Sequence, residues 1–271
     1  MVSNLLETDV EGILETAFSG TDGELLVVDP SAGTIVSLVE AALARDDLPS
    51  MSMLADERVL KDVMDDFLVA SKAADLVSDG ALSIRLLPEN ADNALFVSES
   101  RVLALVSSGD HVAALSSEDD EFVAEVFDAY RTAFDDAEEY HLRTPPISVV
   151  RETMEAEIGE SAREDFDRVL ASMDAARGDG EGLDEVTVAL LVAAKNDVLL
   201  YDISKWGEDV GIASKATFSR TKTRLEDMGV IDTEKVPIDV GRPRLRLKIG
   251  DEDLLGLDAE ALAEAATRVL N

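Results

Sequence analysis

Carboxylates are the dominant constraint on this chain. Its 58 Asp and Glu side chains oppose 24 Lys and Arg, giving a formal net charge of −34, and they are spread over nearly every segment. Any surface element must therefore bury an apolar face while keeping its charged one in water. With 46% hydrophobic residues in 271, the chain has material for one large domain or two ordinary ones. Disorder needs low hydrophobicity as well as high charge, so an acidic unfolded tail grown large is excluded. Uncharged runs such as Val186 to Ala194 fall well short of the ~20 apolar residues that span a bilayer. The N-terminus lacks the basic start and apolar block of a secretory signal. The absence of cysteine removes disulfides, thiolate metal sites and thiol nucleophiles. A soluble, cytoplasmic protein with no membrane partner is the expectation.

Dispersed acidity of this kind, with Arg outnumbering Lys 16 to 8 and aromatics at 4%, fits a halophile whose cytosol holds molar salt. Carboxylates keep such a surface hydrated, and salt screens their repulsion. Against that background one window stands apart. Residues 1–150 carry 8 basic and 31 acidic side chains, 151–200 carry 5 and 13, and 251–271 carry 1 and 6. Residues 201–250 carry 10 and 8, and residues 213–248 within them hold nine basic and five acidic. A locally positive stretch in so acidic a chain points to an anionic partner, of which nucleic acid is the commonest.

Residues 1–140 alternate helical and strand patterns and read as a mixed α/β sensing or assembly domain. Leu5, Leu6, Val10, Ile13, Leu14 and Ala17 recur at helical spacing. Glu24 to Val28 reads as a strand stopped at Asp29-Pro30, residues 33–44 as a helix, and 56–70 as a second helix starting near Asp56. Short β-like runs follow at 82–87, 94–97, 102–107 and 111–115, the last two joined by the turn signal Ser108-Gly109-Asp110. A helix over about 118–139 comes next. Residues 141–182 read as a linker and helical connection. Pro145-Pro146 stops the preceding helix, new helices are expected over 147–157 and 160–176, and 177–182 is a Gly-rich loop.

Residues 183–250 carry the functional signal. Asp184 can cap an apolar helix running to about Lys195, and Asp202 a short helix to Val210 that Gly211 ends in the left-handed region. Ser214 caps a third helix, closed by Gly229. At 100° per residue Phe218, Thr221, Leu225 and Met228 fall inward. Ala216, Ser219, Arg220 and Thr223 fall outward, with Lys215 beside them. A helix in a major groove needs small residues for close approach and donors for base edges and phosphates. Arg244 to Ile249 then alternates basic with aliphatic residues, as a strand does. Gly241-Arg242-Pro243 sits at its start, where a hairpin tip would offer Arg242 to a phosphate or a narrow minor groove. Three helices followed by a β-hairpin make a winged helix-turn-helix. The residues expected to contact DNA are Lys215, Thr217, Ser219, Arg220, Thr223, Arg224, Arg242 and Arg244.

The phrase Gly211-Ile212-Ala213-Ser214-Lys215-Ala216-Thr217-Phe218-Ser219-Arg220, followed by Arg224 to Ile231, resembles the recognition-helix phrase of archaeal and bacterial winged-helix regulators. In organisation, an acidic α/β part before a C-terminal winged helix, the chain resembles the haloarchaeal TbsP family of transcriptional regulators. The motif itself covers about residues 183–250. The resemblance implies a DNA-binding regulator of central carbon or sugar metabolism genes. Many archaeal sugar-responsive regulators carry the winged helix at the N-terminus, so their effector-binding residues have no counterpart to carry over.

No catalytic or metal constellation is visible in the sequence, and no cofactor is expected. His111 and His141 lack partners at ligand spacing, and pairs such as Asp65-Asp66 or Asp135-Asp136 read as solvated surface. Gly20-Thr21-Asp22-Gly23 lacks the lysine of a phosphate loop. The expected partners are double-stranded promoter DNA and a second copy of the chain, with a small metabolite at residues 1–140 as the candidate effector. Two helices are candidates for the dimer contact: 160–176, and the C-terminal helix in 251–271, where Leu262, Ala265, Ala266, Val269 and Leu270 share a side. Two other readings are a winged helix that binds protein, favoured if Arg220, Arg242 and Arg244 are tied up in internal ion pairs, and an enzyme with an Asp/Glu/Arg site.

Overall fold

Parallel and antiparallel strands meet in the middle of one sheet in the first part of the chain. The computed structural model describes residues 3–7, 10–19, 21, 23–89, 91–108, 111–175, 183–237 and 243–270. The elements begin with β1 (Ser3–Glu7), α1 (Glu11–Ser19), β2 (Glu24–Val28), α2 (Ala32–Leu43), β3 (Ser50–Ala55), α3 (Glu57–Met64) and α4 (Phe67–Ser78). They continue with β4 (Leu82–Leu86), β5 (Ala94–Ser98), β6 (Arg101–Ser108), β7 (His111–Ser117) and α5 (Asp120–Asp136). The strand order is β1-β7-β6-β5-β2-β3-β4. Strands β2, β3 and β4 run parallel through helical crossovers, whereas β5, β6 and β7 form an antiparallel meander. Strand β5 joins the halves antiparallel to β2.

Burial follows from this arrangement. Leu25 to Val28 and Met51 to Ala55 are buried without alternation, as parallel strands covered on both faces must be. One face packs Val27, Met53 and Phe96 against Ile13, Leu14, Ile35 and Leu38. The other packs Leu26, Val97 and Val102 against Val123 of α5. The expected mixed α/β fold is therefore present, with three local corrections. Leu5 and Leu6 belong to β1, paired antiparallel with β7 from Ser3↔Ser116 to Glu7↔Val112, because a free sheet edge overrides local helical spacing. The helix expected over 56–70 is two helices. Asp66 accepts from the Leu68 and Val69 N–H groups, as Asp56 does from those of Arg58 and Val59, so a second cap starts a new helix. Strand β3 has no clear pattern in the sequence, since Met, Ser and Ala are weak strand signals.

The chain divides into two units, Met1–Leu142 and Arg143–Asn271. The second holds α6 (Ile147–Glu157), α7 (Glu160–Ala175), α8 (Glu185–Lys195), α9 (Leu200–Val210), α10 (Lys215–Asp227), β8 (Ile231–Val236), β9 (Arg244–Ile249) and α11 (Ala259–Leu270). Helix α8 is its post: every residue from Val186 to Ala194 is buried, and α7, α9, α10, α11 and β9 all pack on it. A helix apolar all round has no side it can leave in water. Asp184 caps it as expected, accepting from the Thr187 N–H at 2.7 Å. The two helices proposed for a dimer contact are largely used here instead. Ala162, Phe166, Val169 and Leu170 of α7 are buried, as are Leu262 and Ala266 of α11, and the two helices pack on one another and on α8.

Gly207, inside α9, sets the distance between the next two helices. A Cβ there would enter the ring of Phe218 on α10. Gly207→Ala gains ~1 kcal/mol of helix propensity but should lose ~1–3 kcal/mol to overpacking. Denaturant unfolding should show a lower midpoint; a raised one would mean that Phe218 does not seat on Gly207.

Candidate nucleic-acid interface

Helix α9 ends at Gly211, whose φ of 92° is the left-handed conformation expected there. Its start differs from expectation: Leu199 occupies the cap position without a side-chain bond, and Asp202 lies in the first turn. Ile212 N–H donates to the Gly207 carbonyl at 2.8 Å, folding the chain back for α10. Ser214 then caps α10 by accepting from the Thr217 N–H at 3.2 Å. The α9–turn–α10 pair is anchored by Trp206, which is buried and donates Nε1–H to the Thr153 hydroxyl on α6 at 3.0 Å.

Phe218 and Leu225 hold α10 inward, and Gly229, at φ 74°, closes it. Lys215, Ala216, Ser219, Arg220, Thr223 and Arg224 are exposed, and Thr217 is half-buried. Arg220 donates to Thr217 Oγ1 at 3.3 Å, and the Thr223 hydroxyl donates to the Ser219 carbonyl at 3.1 Å. Among the described residues, Arg220 and Arg224 make no ion pair, so both guanidinium groups are available. Met228, expected inward, is 36% exposed because it follows the last helical turn. Lys222 turns inward: its side chain is only 12% exposed and lies 2.6 Å from Glu226. The other oxygen of Glu226 accepts from the Thr233 hydroxyl of β8 at 2.8 Å.

Strands β8 and β9 pair antiparallel from Ile231↔Ile249 to Val236↔Arg244. Leu247 is buried, and its N–H donates to the Val198 carbonyl at 2.9 Å, tying the hairpin to the segment before α9. Gly241 and Arg242 at the expected tip lie outside the described residues. The basic side chains of β9 are not free. Arg244 stacks 4.4 Å from the centroid of the exposed Tyr201 ring and lies 3.4 Å from Asp202. Arg246 lies 3.7 Å from Glu234, and Lys248 2.7 Å from Asp197.

The structure thus brings Lys215, Thr217, Ser219, Arg220, Thr223 and Arg224 together on one helix and places Arg244 in the neighbouring hairpin. It also shows acids on α9 that sequence reasoning missed. Glu208 lies 2.6 Å from Lys215 Nζ, and Asp209 pairs with Lys205. Their carboxyls are held below, and the two lysines above, their ordinary ranges, chiefly by the side-chain hydrogen bonds they share.

The first unit offers less. A cavity of about 10 Å³ lined by Thr16, Thr21, Phe96, Ser98 and Arg101 has room for about one water. His141 is exposed, 3.6 Å from Glu139. Among the described residues, no group of three His, Asp or Glu side chains could hold a metal, and no helix is long and apolar enough to cross a membrane.

Three helices, a tight turn before an exposed polar helix, and a closing antiparallel hairpin define a winged helix-turn-helix domain. Residues 2–145 match the family described as "Transcriptional regulator TbsP-like, N-terminal", and residues 146–267 match "Transcriptional regulator TbsP-like, C-terminal HTH domain". The chain belongs to the TbsP-like transcriptional regulators. No curated protein matches it significantly. Among solved structures it is similar to TrmBL2, an archaeal chromatin protein described as showing a novel mode of DNA binding, at 17% identity and a TM-score of 0.39. That likeness covers 51% of this chain and 54% of TrmBL2, so the chain spans about half the length of that relative. Two further loose likenesses are Nuc from Salmonella typhimurium, a phospholipase D family member, and NucT from Helicobacter pylori. Each is 9% identical over 52% of this chain, with TM-scores of 0.36 and 0.33, covering 99% and 100% of those chains.

The Trp206–Thr153 bond gives a direct check on how the helix-turn-helix is seated. Thr153→Val should strand a buried indole N–H at a cost of ~1–3 kcal/mol. Because Trp206 is the single tryptophan, its fluorescence should report the altered surroundings directly. Unchanged stability and emission would place the indole elsewhere.

Proposed function

We propose that the chain is a sequence-specific, double-stranded-DNA-binding regulator of central carbon or sugar metabolism genes in a halophilic archaeon, acting as a homodimer. The single observation that carries the DNA reading is the outward face of α10. Ser219, Arg220, Thr223 and Arg224 are exposed on a helix capped at Ser214, and neither arginine has a carboxylate partner among the described residues. Small hydroxyls allow close approach to a groove, and arginine offers paired donors to guanine edges or to phosphate. A second copy fits the usual geometry of helix-turn-helix operators, in which two half-sites one helical turn apart mirror a two-fold axis. The first unit is assigned a sensing or assembly role, with a metabolite as the candidate effector. A protein-binding winged helix is the second reading; the engagement of Arg244 by Asp202 and Tyr201 favours it, whereas Arg220, without an ion pair among the described residues, favours DNA.

The test is a chromatin pull-down followed by band-shift titration on the recovered promoters. Arg220→Ala and Ser219→Ala should each weaken operator binding by ~1–3 kcal/mol while leaving unfolding within ~0.5 kcal/mol of the wild type. Uniform chromatin background with no band shift would sink the DNA reading in favour of the protein-binding one. Arg242→Ala should lower affinity for every sequence by a similar factor if the tip meets phosphate, and selectively for A·T-rich flanks if it enters a narrow minor groove. Full affinity without residues 237–243 would dismiss the wing.

A further inference from the structure

The winged helix carries its own anions on the face that holds the expected contacts. Glu208 of α9 lies 2.6 Å from Lys215 Nζ and also accepts from the Lys215 backbone N–H at 3.3 Å. Lys215 is the first residue of α10, where backbone donors have no partner within the helix and the helix dipole is positive. A DNA phosphate arriving at the start of a recognition helix seeks such a pair of donors, a basic side chain and a terminal N–H. Both partners are reachable, with side-chain exposures of 44% for Lys215 and 43% for Glu208. The pattern continues around them, since Asp209 holds Lys205 and Asp202 holds Arg244.

We infer that Glu208 is a built-in competitor for backbone phosphate, so that DNA binding exchanges its carboxylate for a phosphate at Lys215 and leaves Glu208 to take up a cation. This rests on reading α10 as the DNA-contacting helix and says how that contact is regulated. An uncommitted lysine that neutralises a phosphate releases about 0.9 counterion from duplex DNA. Lys215 releases that counterion too, but Glu208, once vacated, recovers one from solution. The pair therefore adds almost nothing to the salt dependence of binding. Any phosphate met by Arg220 or Arg224, which hold no carboxylate among the described residues, still steepens it. The dependence is therefore shallower than the number of cations on this face alone would give, which suits a chain with so many carboxylates.

The experiment uses the full chain and a labelled mixed-sequence duplex of about three helical turns, because phosphate competition is independent of sequence. Binding is followed by fluorescence anisotropy from about 0.1 M to 1 M KCl, with circular dichroism marking the concentrations at which each protein is folded. Glu208→Gln keeps the side chain's size and an acceptor for the Lys215 N–H while removing the charge. It should bind about tenfold tighter at the low-salt end, converge on the wild type near 1 M, and steepen the slope of log affinity against log salt by ~0.9. Glu260→Gln, on the exposed side of α11, removes the same charge away from Lys215 and should change neither. If Glu208→Gln binds no tighter than the wild type, or if Glu260→Gln tightens binding equally, the competitor role is overturned while the DNA reading stands. If no protein binds the duplex at any salt concentration, the DNA reading falls and takes this inference with it.

Discussion

Burial of α8 on every side is the constraint on which the second unit depends. Its nine consecutive buried residues, Val186 to Ala194, offer water nothing, so each neighbour must turn an apolar face toward it. Each large side chain so buried stabilises the fold by ~1.5–3 kcal/mol, and this gain must offset the mutual repulsion of a −34 chain. The same requirement explains why Trp206, Phe218, Leu225 and Leu247, from three different elements, are all buried. It also explains why α7 and α11 spend their apolar faces inside the unit. A helix face that looks amphipathic in sequence does not say whether its partner is the parent domain or another molecule.

Legibility followed the range of the interactions involved. The outward face of α10 could be read from its sequence because Ser214 and Gly229 bracket it and 100° steps fix which residues share a side. Strands β4 to β7 could be read because β-branched runs and turn residues are local signals. Strand β1 could not, since Ser3 to Glu7 becomes a strand only by pairing with residues more than a hundred positions away. Likewise Glu208 reaches Lys215 across a turn, and Arg244 meets Tyr201 and Asp202 from the far side of the hairpin. No spacing rule within one element contains such partners, and here they decide which cations are free.

The position of the positive charge gains meaning from these pairings. By sequence, residues 213–248 form one basic window; by structure, most of its described cations already hold carboxylates, while Arg220 and Arg224 stand open on α10 and Lys235 on β8. The domain therefore presents a small charged site in place of a broad basic patch. Specific contacts can dominate over indiscriminate attraction to any duplex, which suits a regulator that must search a genome of competing sites.

Glu226 gives the domain a further property. One of its oxygens holds Lys222 and the other holds Thr233, so the helix that faces outward and the first strand of the hairpin share a single clamp. Two feet joined by a rigid ankle land together. Once one has touched a surface, the other is held at high effective concentration above its own footing, and the two contacts multiply instead of adding. The spacing between them is then a fixed length of the molecule, and a target whose footholds are set at any other distance can engage only one.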